Sequence, residues 1–187
     1  ILILGSSGML GAQMVATFSK INKKSNFKIF TSSRKKSKNK IFFDVFKKET
    51  YKNINVIKPN YIINCIGLIK PKISINSSQS NIECLKINSI LPMYLSNNFK
   101  NSKIIHFSSD GVFNGFKGRY LENDKPSSTN IYGISKSMGE IEKKNVMNIR
   151  CSIIGFEKKT NYSILNWFLN VNSKKIKGYK DQFWNGI

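Results

Sequence analysis

The sequence predicts an α/β domain built on a doubly wound parallel sheet, and three observations carry that prediction. Short apolar runs alternate with stretches of helical periodicity along most of the 187 residues. The runs are apolar throughout rather than at every second residue, as strands buried on both faces are. The first of them opens directly into a glycine-rich turn and a helix, in ILILGSSGMLGAQ.

Taken in order, Ile1–Leu4 is the first strand. Gly5, Gly8 and Gly11 follow, and Leu10, Met14, Phe18 and Ile21 recur at helical spacing, which predicts a helix over Met9–Ile21. A tight strand-to-helix turn needs positive φ or close backbone approach, and glycine permits both. The helix start beyond it offers free N–H groups and a positive dipole end to a phosphate. That placement, more than the Gly-x-x-Gly-x-x-Gly spacing alone, makes the turn a candidate dinucleotide site on a Rossmann-type sheet; a glycine turn without a ligand is the alternative. The second strand, Phe27–Thr31, runs into Ser32, Ser33 and Arg34, and Lys35–Lys40 is a solvated charge run. Ile41–Phe43 is the third strand, with Asp44 and Val45 after it and a helix over Glu49–Ile57. Tyr61–Ile66 is the fourth, followed by a helix over Ser80–Phe99 that Pro92 kinks or splits. Lys103–Phe107 is the fifth and ends in Ser108-Ser109-Asp110. A helix over Asn130–Lys144, a strand over Val146–Arg150 and a helix over Tyr162–Asn172 complete the series. Ligands on such sheets sit at the carboxyl ends of the strands, near the switch in strand order, so the residues after each strand are the candidate contacts.

Composition narrows the function. The chain is 40% hydrophobic and carries a formal net charge of +21. Lysines scattered along the chain supply nearly all of that charge, whereas a nucleic-acid binder clusters it on one face among arginines and aromatics. No specific nucleic-acid partner is therefore expected. Cys65, Cys84 and Cys151 show no paired spacing, so no metal site or disulfide framework is expected and a reducing cytoplasm fits. No apolar run reaches the length of a membrane span. The chain begins on a strand without an initiator Met and is expected to be a fragment.

Tyr132 and Lys136 lie four apart on a predicted helix and so share a face. A phenol with an ordinary pKa near 10 is a poor acid–base group at neutral pH, and a neighbouring ammonium is expected to lower it. A hydroxyl from the Ser108-Ser109 pair could polarise a substrate carbonyl. His106, mid-strand, and Cys65, with no basic partner near in sequence, are expected to be packing residues. Arg150 could meet a diphosphate or make an ordinary salt bridge. Leu165, Trp167, Phe168 and Trp184 are expected to pack a core or a further domain.

Together the segments GSSGMLG, FFDV, NCIG, INSILP, HFSSDGVFNG and YGISK resemble the extended short-chain dehydrogenase/reductase family, over essentially the whole chain. The segment FSSDGVFNGFKGRYLENDKP is most similar to the dTDP-4-dehydrorhamnose reductase branch, and QFWNG to polysaccharide-related members. The resemblance implies an NAD(P)-binding domain over residues 1–150 and the truncated start of a substrate-binding region over 151–187, with the C-terminal substrate domain largely missing. It implies reduction of a 4-keto sugar nucleotide in surface-polysaccharide synthesis, with Ser109, Tyr132 and Lys136 catalytic. A sugar-nucleotide epimerase with the same three residues, or a non-catalytic cofactor-binding protein, are the rival readings. Gly5, Gly8, Met9, Leu10, Gly11, Ser33, Arg34, Asp44, Val45, Asn64, Cys65 and Ile66 would hold the cofactor with Tyr132 and Lys136. Asp110, Val112, Phe113 and Arg150 would meet the substrate. Ser109 stands where these reductases commonly have Thr, and Gly111 where they have Tyr or Cys and the related dehydratases a catalytic Glu, which counts against a dehydratase. A homodimer is left open. The second strand ends without the Asp or Glu that binds the adenosine ribose in NAD-preferring sites. Arg34, roughly 20 residues past the glycine turn, is suited to a 2′-phosphate, so NADP is expected, with NAD as the alternative.

Overall fold

A computed structural model describes residues 1–24, 26–74, 76–157, 162–172, 175–178 and 180. Its centre is a six-stranded sheet: β1 (Leu2–Leu4), β2 (Phe30–Ser33), β3 (Ile41–Phe42), β4 (Tyr61–Asn64), β5 (Lys103–Phe107) and β6 (Val146–Ile149). The order is β3-β2-β1-β4-β5-β6 and every neighbouring pair runs parallel. Strand order therefore reverses between β1 and β4, which opens a crevice at their carboxyl ends.

The expected full burial of the strands holds where it matters most. Leu2, Ile3, Leu4 and Ile62 are completely buried, each such side chain stabilising the fold by about 1.5–3 kcal/mol. Leu2, Leu4 and Ile62 share one core with Phe43, Ile54, Leu91, Leu95, Phe99 and Ile104. The helices that cover the sheet are α1 (Met9–Asn22), α2 (Tyr51–Asn55), α3 (Ser78–Leu85), α4 (Leu91–Asn98) and α5 (Ile131–Met138), with α6 (Ile164–Leu169) after the last strand.

Two elements differ from the sequence expectation, and a third is split, as Pro92 implied. β2 starts at Phe30 rather than Phe27, because the register sets Leu2 opposite Phe30 and leaves only Ile1 to face the residues before it. The long helix expected over Ser80–Phe99 is divided: five residues, Lys86–Ile90, form a π-helical turn between α3 and α4. Pro92, in the first turn of α4, has no N–H to give the Asn88 carbonyl and its ring would crowd it, and a wider turn relieves both problems. Helix α5 stops at Met138 instead of running to Lys144. Gly139 packs against the Asn88 carbonyl so closely that a Cβ there would overlap it, and the chain turns away at that contact.

Candidate active site

The glycine turn sits at the switch point. Gly5 adopts φ +76°, which favours glycine, and the place of its absent Cβ is 2.9 Å from Ile66 Cγ1. Cys65 N–H donates to the Leu4 carbonyl at 3.1 Å, so β1 and β4 deliver these residues together. Gly11 packs onto Gly5 so tightly that any side chain would overlap the Gly5 carbonyl. Gly8 is different. A Cβ there would meet only the Gly5 carbonyl, at an ordinary 3.5 Å. The fold does not require glycine at 8; an approaching ligand would. Gly8 caps α1 without a side-chain hydrogen bond, and helix geometry leaves the N–H groups of Met9 and Leu10 without intrahelical acceptors. Ser32 steadies the turn from β2: its Oγ accepts from Gly5 N–H at 3.2 Å and its carbonyl from Ser6 Oγ at 2.8 Å. These features fit a dinucleotide pyrophosphate.

Tyr132, Lys136 and Ser109 converge one strand further along. Asn130 caps α5 by accepting from Gly133 N–H at 3.0 Å, and Gly133 lets the first turn of α5 press against the Gly111 carbonyl. Tyr132 is thereby set beside Gly111, whose missing Cβ would lie 3.2 Å from both Tyr132 Cε1 and Ser109 Oγ. Ser109 Oγ accepts from Gly111 N–H at 3.0 Å. Lys136 is 6% exposed. Its Nζ donates to the Phe107 carbonyl at 2.9 Å and lies 3.0 Å from where Gly67 would carry a Cβ.

Burial governs the protonation of this group. It holds the Lys136 ammonium down at about 8, against the opposing pull of Cys151, Cys84 and Glu140. It also raises the Tyr132 phenol, with a hydrogen bond to Ser109 acting the other way. The sequence expectation that Lys136 would draw Tyr132 down is thus corrected: desolvation of the phenolate dominates, Asp110, Cys151 and Cys84 add to it, and only the hydrogen bond to Ser109 opposes it. His106 is buried and neutral, its pKa lowered to about 3 by burial and then by Lys136. Its Nδ1 lies 3.1 Å from Asn64 Nδ2, and Asn64 Oδ1 accepts from Ile66 N–H at 3.2 Å, so Asn64 fixes the turn after β4. Burial pushes the Cys65 thiol up to about 12, which suits an inert packing residue.

The other expected contact residues have partners of their own. Ser33 and exposed Arg34 end β2, where Ser33 Oγ accepts from Lys35 N–H at 3.1 Å. The Asp44 carboxylate accepts from Phe46 N–H at 3.0 Å, and Val45 packs against the core. Val112 is fully buried, so its side chain has no surface to offer a substrate. The Phe113 ring stacks on Tyr120 with centroids 4.1 Å apart. Asp110 is exposed and accepts from Ser152 Oγ at 2.6 Å. Arg150 makes the salt bridge of its two expectations: its guanidinium grips Glu140, at 2.9 Å from Nε and 2.7 Å from Nη2. Trp167 and Phe168 are 46% and 59% exposed, not core; Trp184 and QFWNG lie outside the described residues.

The sequence reading missed Asn88. This fully buried side chain in the π-helical turn accepts from Leu68 N–H at 2.9 Å and donates to the Leu68 carbonyl and to Ser135 Oγ, each at 3.1 Å. Ser135 Oγ in turn reaches the Tyr132 carbonyl at 2.8 Å. Asn88 so ties the loop after β4 to the helix bearing Tyr132 and Lys136. It lies in the INSILP segment of the family resemblance, but nothing in the sequence singled out the Asn itself.

Among solved structures the chain is similar to a hypothetical dTDP-4-dehydrorhamnose reductase from Sulfolobus tokodaii, with 26% identity and a TM-score of 0.68 over 80% of this chain and 54% of that one. A dTDP-4-dehydrorhamnose reductase from Yersinia enterocolitica gives 22% identity and a TM-score of 0.71 over 90% and 57%, a likeness of fold. The same enzyme from Bacillus anthracis, in complex with NADP, gives 25% identity and a TM-score of 0.59 over 74% and 46%. The chain thus spans about half the length of these proteins. No curated protein sequence matches it significantly. The family described as the RmlD substrate binding domain matches residues 1–185, and with the sheet order, the glycine turn and the Tyr132–Lys136 helix already in place, the chain belongs to that family, the dTDP-4-dehydrorhamnose reductase-like branch of the extended short-chain dehydrogenase/reductases.

Proposed function

We propose that the chain is the cofactor-binding and proton-donating part of an NAD(P)H-dependent reductase acting on a 4-keto sugar nucleotide, as in surface-polysaccharide synthesis. The observation that carries this reading is the convergence of Ser109, Tyr132 and Lys136 at the strand ends next to a glycine turn that fits a pyrophosphate. The dinucleotide, when bound, supplies the hydride. Met9 and Leu10 would give backbone N–H groups to its phosphates, and Gly8 would leave room for them. Ser109 Oγ would hold the substrate carbonyl and polarise it. Tyr132 would give its phenolic proton to the carbonyl oxygen. A phenol raised by burial stays protonated at neutral pH, which suits a donor in the reducing direction. Lys136 would steady the phenolate left behind and hold the nicotinamide ribose.

Arg34 would favour NADP by binding the 2′-phosphate with two parallel hydrogen bonds, a reading supported by the NADP complex of the Bacillus anthracis protein. The test is turnover of a 4-keto sugar nucleotide by the full-length protein. Consumption of one NADPH per sugar, with a 4-hydroxy product, is the expected result. Conversion to an isomer without net cofactor loss would replace the reductase by an epimerase, and cofactor binding without turnover would leave a binding protein.

A further inference from the structure

Glu140 and Arg150 form a half-buried ion pair that also holds Ser108, the neighbour of Ser109. Their side chains are 9% and 23% exposed. Glu140 Oε1 accepts from both Ser108 Oγ, at 2.6 Å, and Arg150 Nε, at 2.9 Å, while Oε2 takes Arg150 Nη2 at 2.7 Å. Arg150 Nη1 then reaches across to the loop between β5 and α5 and donates to the carbonyls of Glu122, at 3.0 Å, and Asp124, at 3.3 Å. The guanidinium carbon also stands 5.0 Å from the centroid of the Phe113 ring. Through Glu140, one planar group therefore joins the end of β6, the second residue after α5, the Ser108-Ser109 turn and both ends of the 113–124 segment. Lysine could not do this, because only the guanidinium fork serves two carboxylate oxygens and two carbonyls at once.

The elements joined are those that carry the site. Ser108 adjoins Ser109, and Glu140 lies four residues past Lys136, just beyond the end of α5. Ser152, two residues after Arg150, holds Asp110 from the same side. The loop's other restraints are mostly its own: Lys117 pairs with Asp124, Leu121 N–H donates to Asp124, the Tyr120 hydroxyl donates to Asn114 and the Tyr120 ring stacks on Phe113, while Asn114 N–H donates to Ser127 Oγ at 3.1 Å at its foot. Phe116 at its tip is 92% exposed, and Gly115, Gly118 and Arg119 around it take φ values of +88°, +63° and +43°.

We propose that Arg150 is a positioning residue, a latch that holds the 113–124 segment down on the Ser108–Phe113 turn and so keeps Ser109 aligned with Tyr132. The alignment half rests on the proposed reductase reading; the latch itself does not.

Trypsin provides a direct test, because Lys117 and Arg119 are exposed cleavage sites in the segment, and cleavage there requires it to detach locally. In Arg150→Met, cleavage after Lys117 and Arg119 should run at least tenfold faster than in the wild type, with cleavage after Lys20 and Lys52 unchanged. Amide exchange at Gly111 should accelerate with it. Arg150→Lys, keeping the charge without the fork, should recover less than half of the protection. Methylguanidinium added to Arg150→Ala should restore protection and, in the full-length protein, part of a kcat lowered at least tenfold at unchanged cofactor Kd. Unchanged cleavage of the segment, or cleavage raised equally at every site, overturns the latch; normal kcat despite a detached segment overturns its part in alignment. Should Arg150→Met not fold, Glu140→Gln, which breaks the ion pair and spares a Ser108 acceptor, gives the same comparison. A wild type that protects the segment but reduces no 4-keto sugar nucleotide defeats the reductase reading and leaves the latch standing.

Discussion

Lys136 Nζ lies 2.9 Å from the Phe107 carbonyl oxygen, so the last residue of β5 is tied to the middle of α5 by an ammonium removed from water. That burial has a thermodynamic signature. The folded-state pKa, about 8, is below the 10.5 of a free lysine. Between those values the unfolded chain binds more protons than the folded one, so the Lys136 contribution to stability improves as pH rises through this window. Below about pH 8 the full penalty is present. Lys136→Met should therefore be more stable than the wild type by about 1–2 kcal/mol at pH 7, the gain being reduced by the loss of the Phe107 hydrogen bond. The difference should shrink towards pH 10. Denaturant unfolding of both proteins at a series of pH values measures it.

The same shift bears on turnover. Reduction in the full-length protein should fall as pH rises through about 8, where Lys136 loses its proton, while Tyr132, raised by burial, remains protonated. A kcat/KM profile flat to pH 9.5 would remove Lys136 from the chemistry.

Tyr132→Phe keeps the ring against Gly111 and removes only the hydroxyl. Turnover should drop by about 10²–10⁴-fold, the range of positioned acid–base catalysis, with cofactor affinity nearly intact. Single-turnover kinetics with a matched cofactor titration separates the two effects.

The glycines of the turn should divide by role. Gly8→Val adds only an ordinary contact with the Gly5 carbonyl and should fold normally, yet lose at least tenfold in dinucleotide affinity. Gly11→Ala drives a methyl into the Gly5 carbonyl and should cost about 1–3 kcal/mol of stability, as overpacking does. Calorimetric titration and thermal unfolding of the two variants give opposite patterns if the assignment holds.

Arg34→Ala should weaken NADPH binding roughly tenfold, as the loss of a charge-assisted pair does, and leave NADH binding unchanged. Equal weakening of both cofactors, or no preference for NADPH in the wild type, would refute the 2′-phosphate contact.

What the sequence made legible was local. The alternation of apolar runs and helical periodicity set the strand series, and Gly5 and Gly11 declared a turn that only glycine can make. The four-residue spacing of Tyr132 and Lys136 put both on one face. The pairings made across the fold were not legible. Asn88 gains its importance from Leu68 and Ser135, remote in sequence. Gly139, a stop signal the periodic pattern overran, ends α5 where its backbone packs on the Asn88 carbonyl, a contact the sequence does not show. The direction of the Tyr132 shift depends on how deeply the ring is buried, which periodicity does not measure.

The π-helical turn over Lys86–Ile90 makes the whole helical rod from Ser78 to Asn98 a matter of counting. Each residue of an ordinary α-helix advances the side-chain direction by about 100°. Removal of a single residue from the turn would restore regular winding, but would swing α4 by about that angle relative to α3. Leu91 and Leu95, both completely buried, would leave the core, or Asn88 would lose its grip on Leu68 and Ser135. A deletion of one residue here would thus force a choice between core and site, whereas a substitution at the exposed Ile90 would disturb neither.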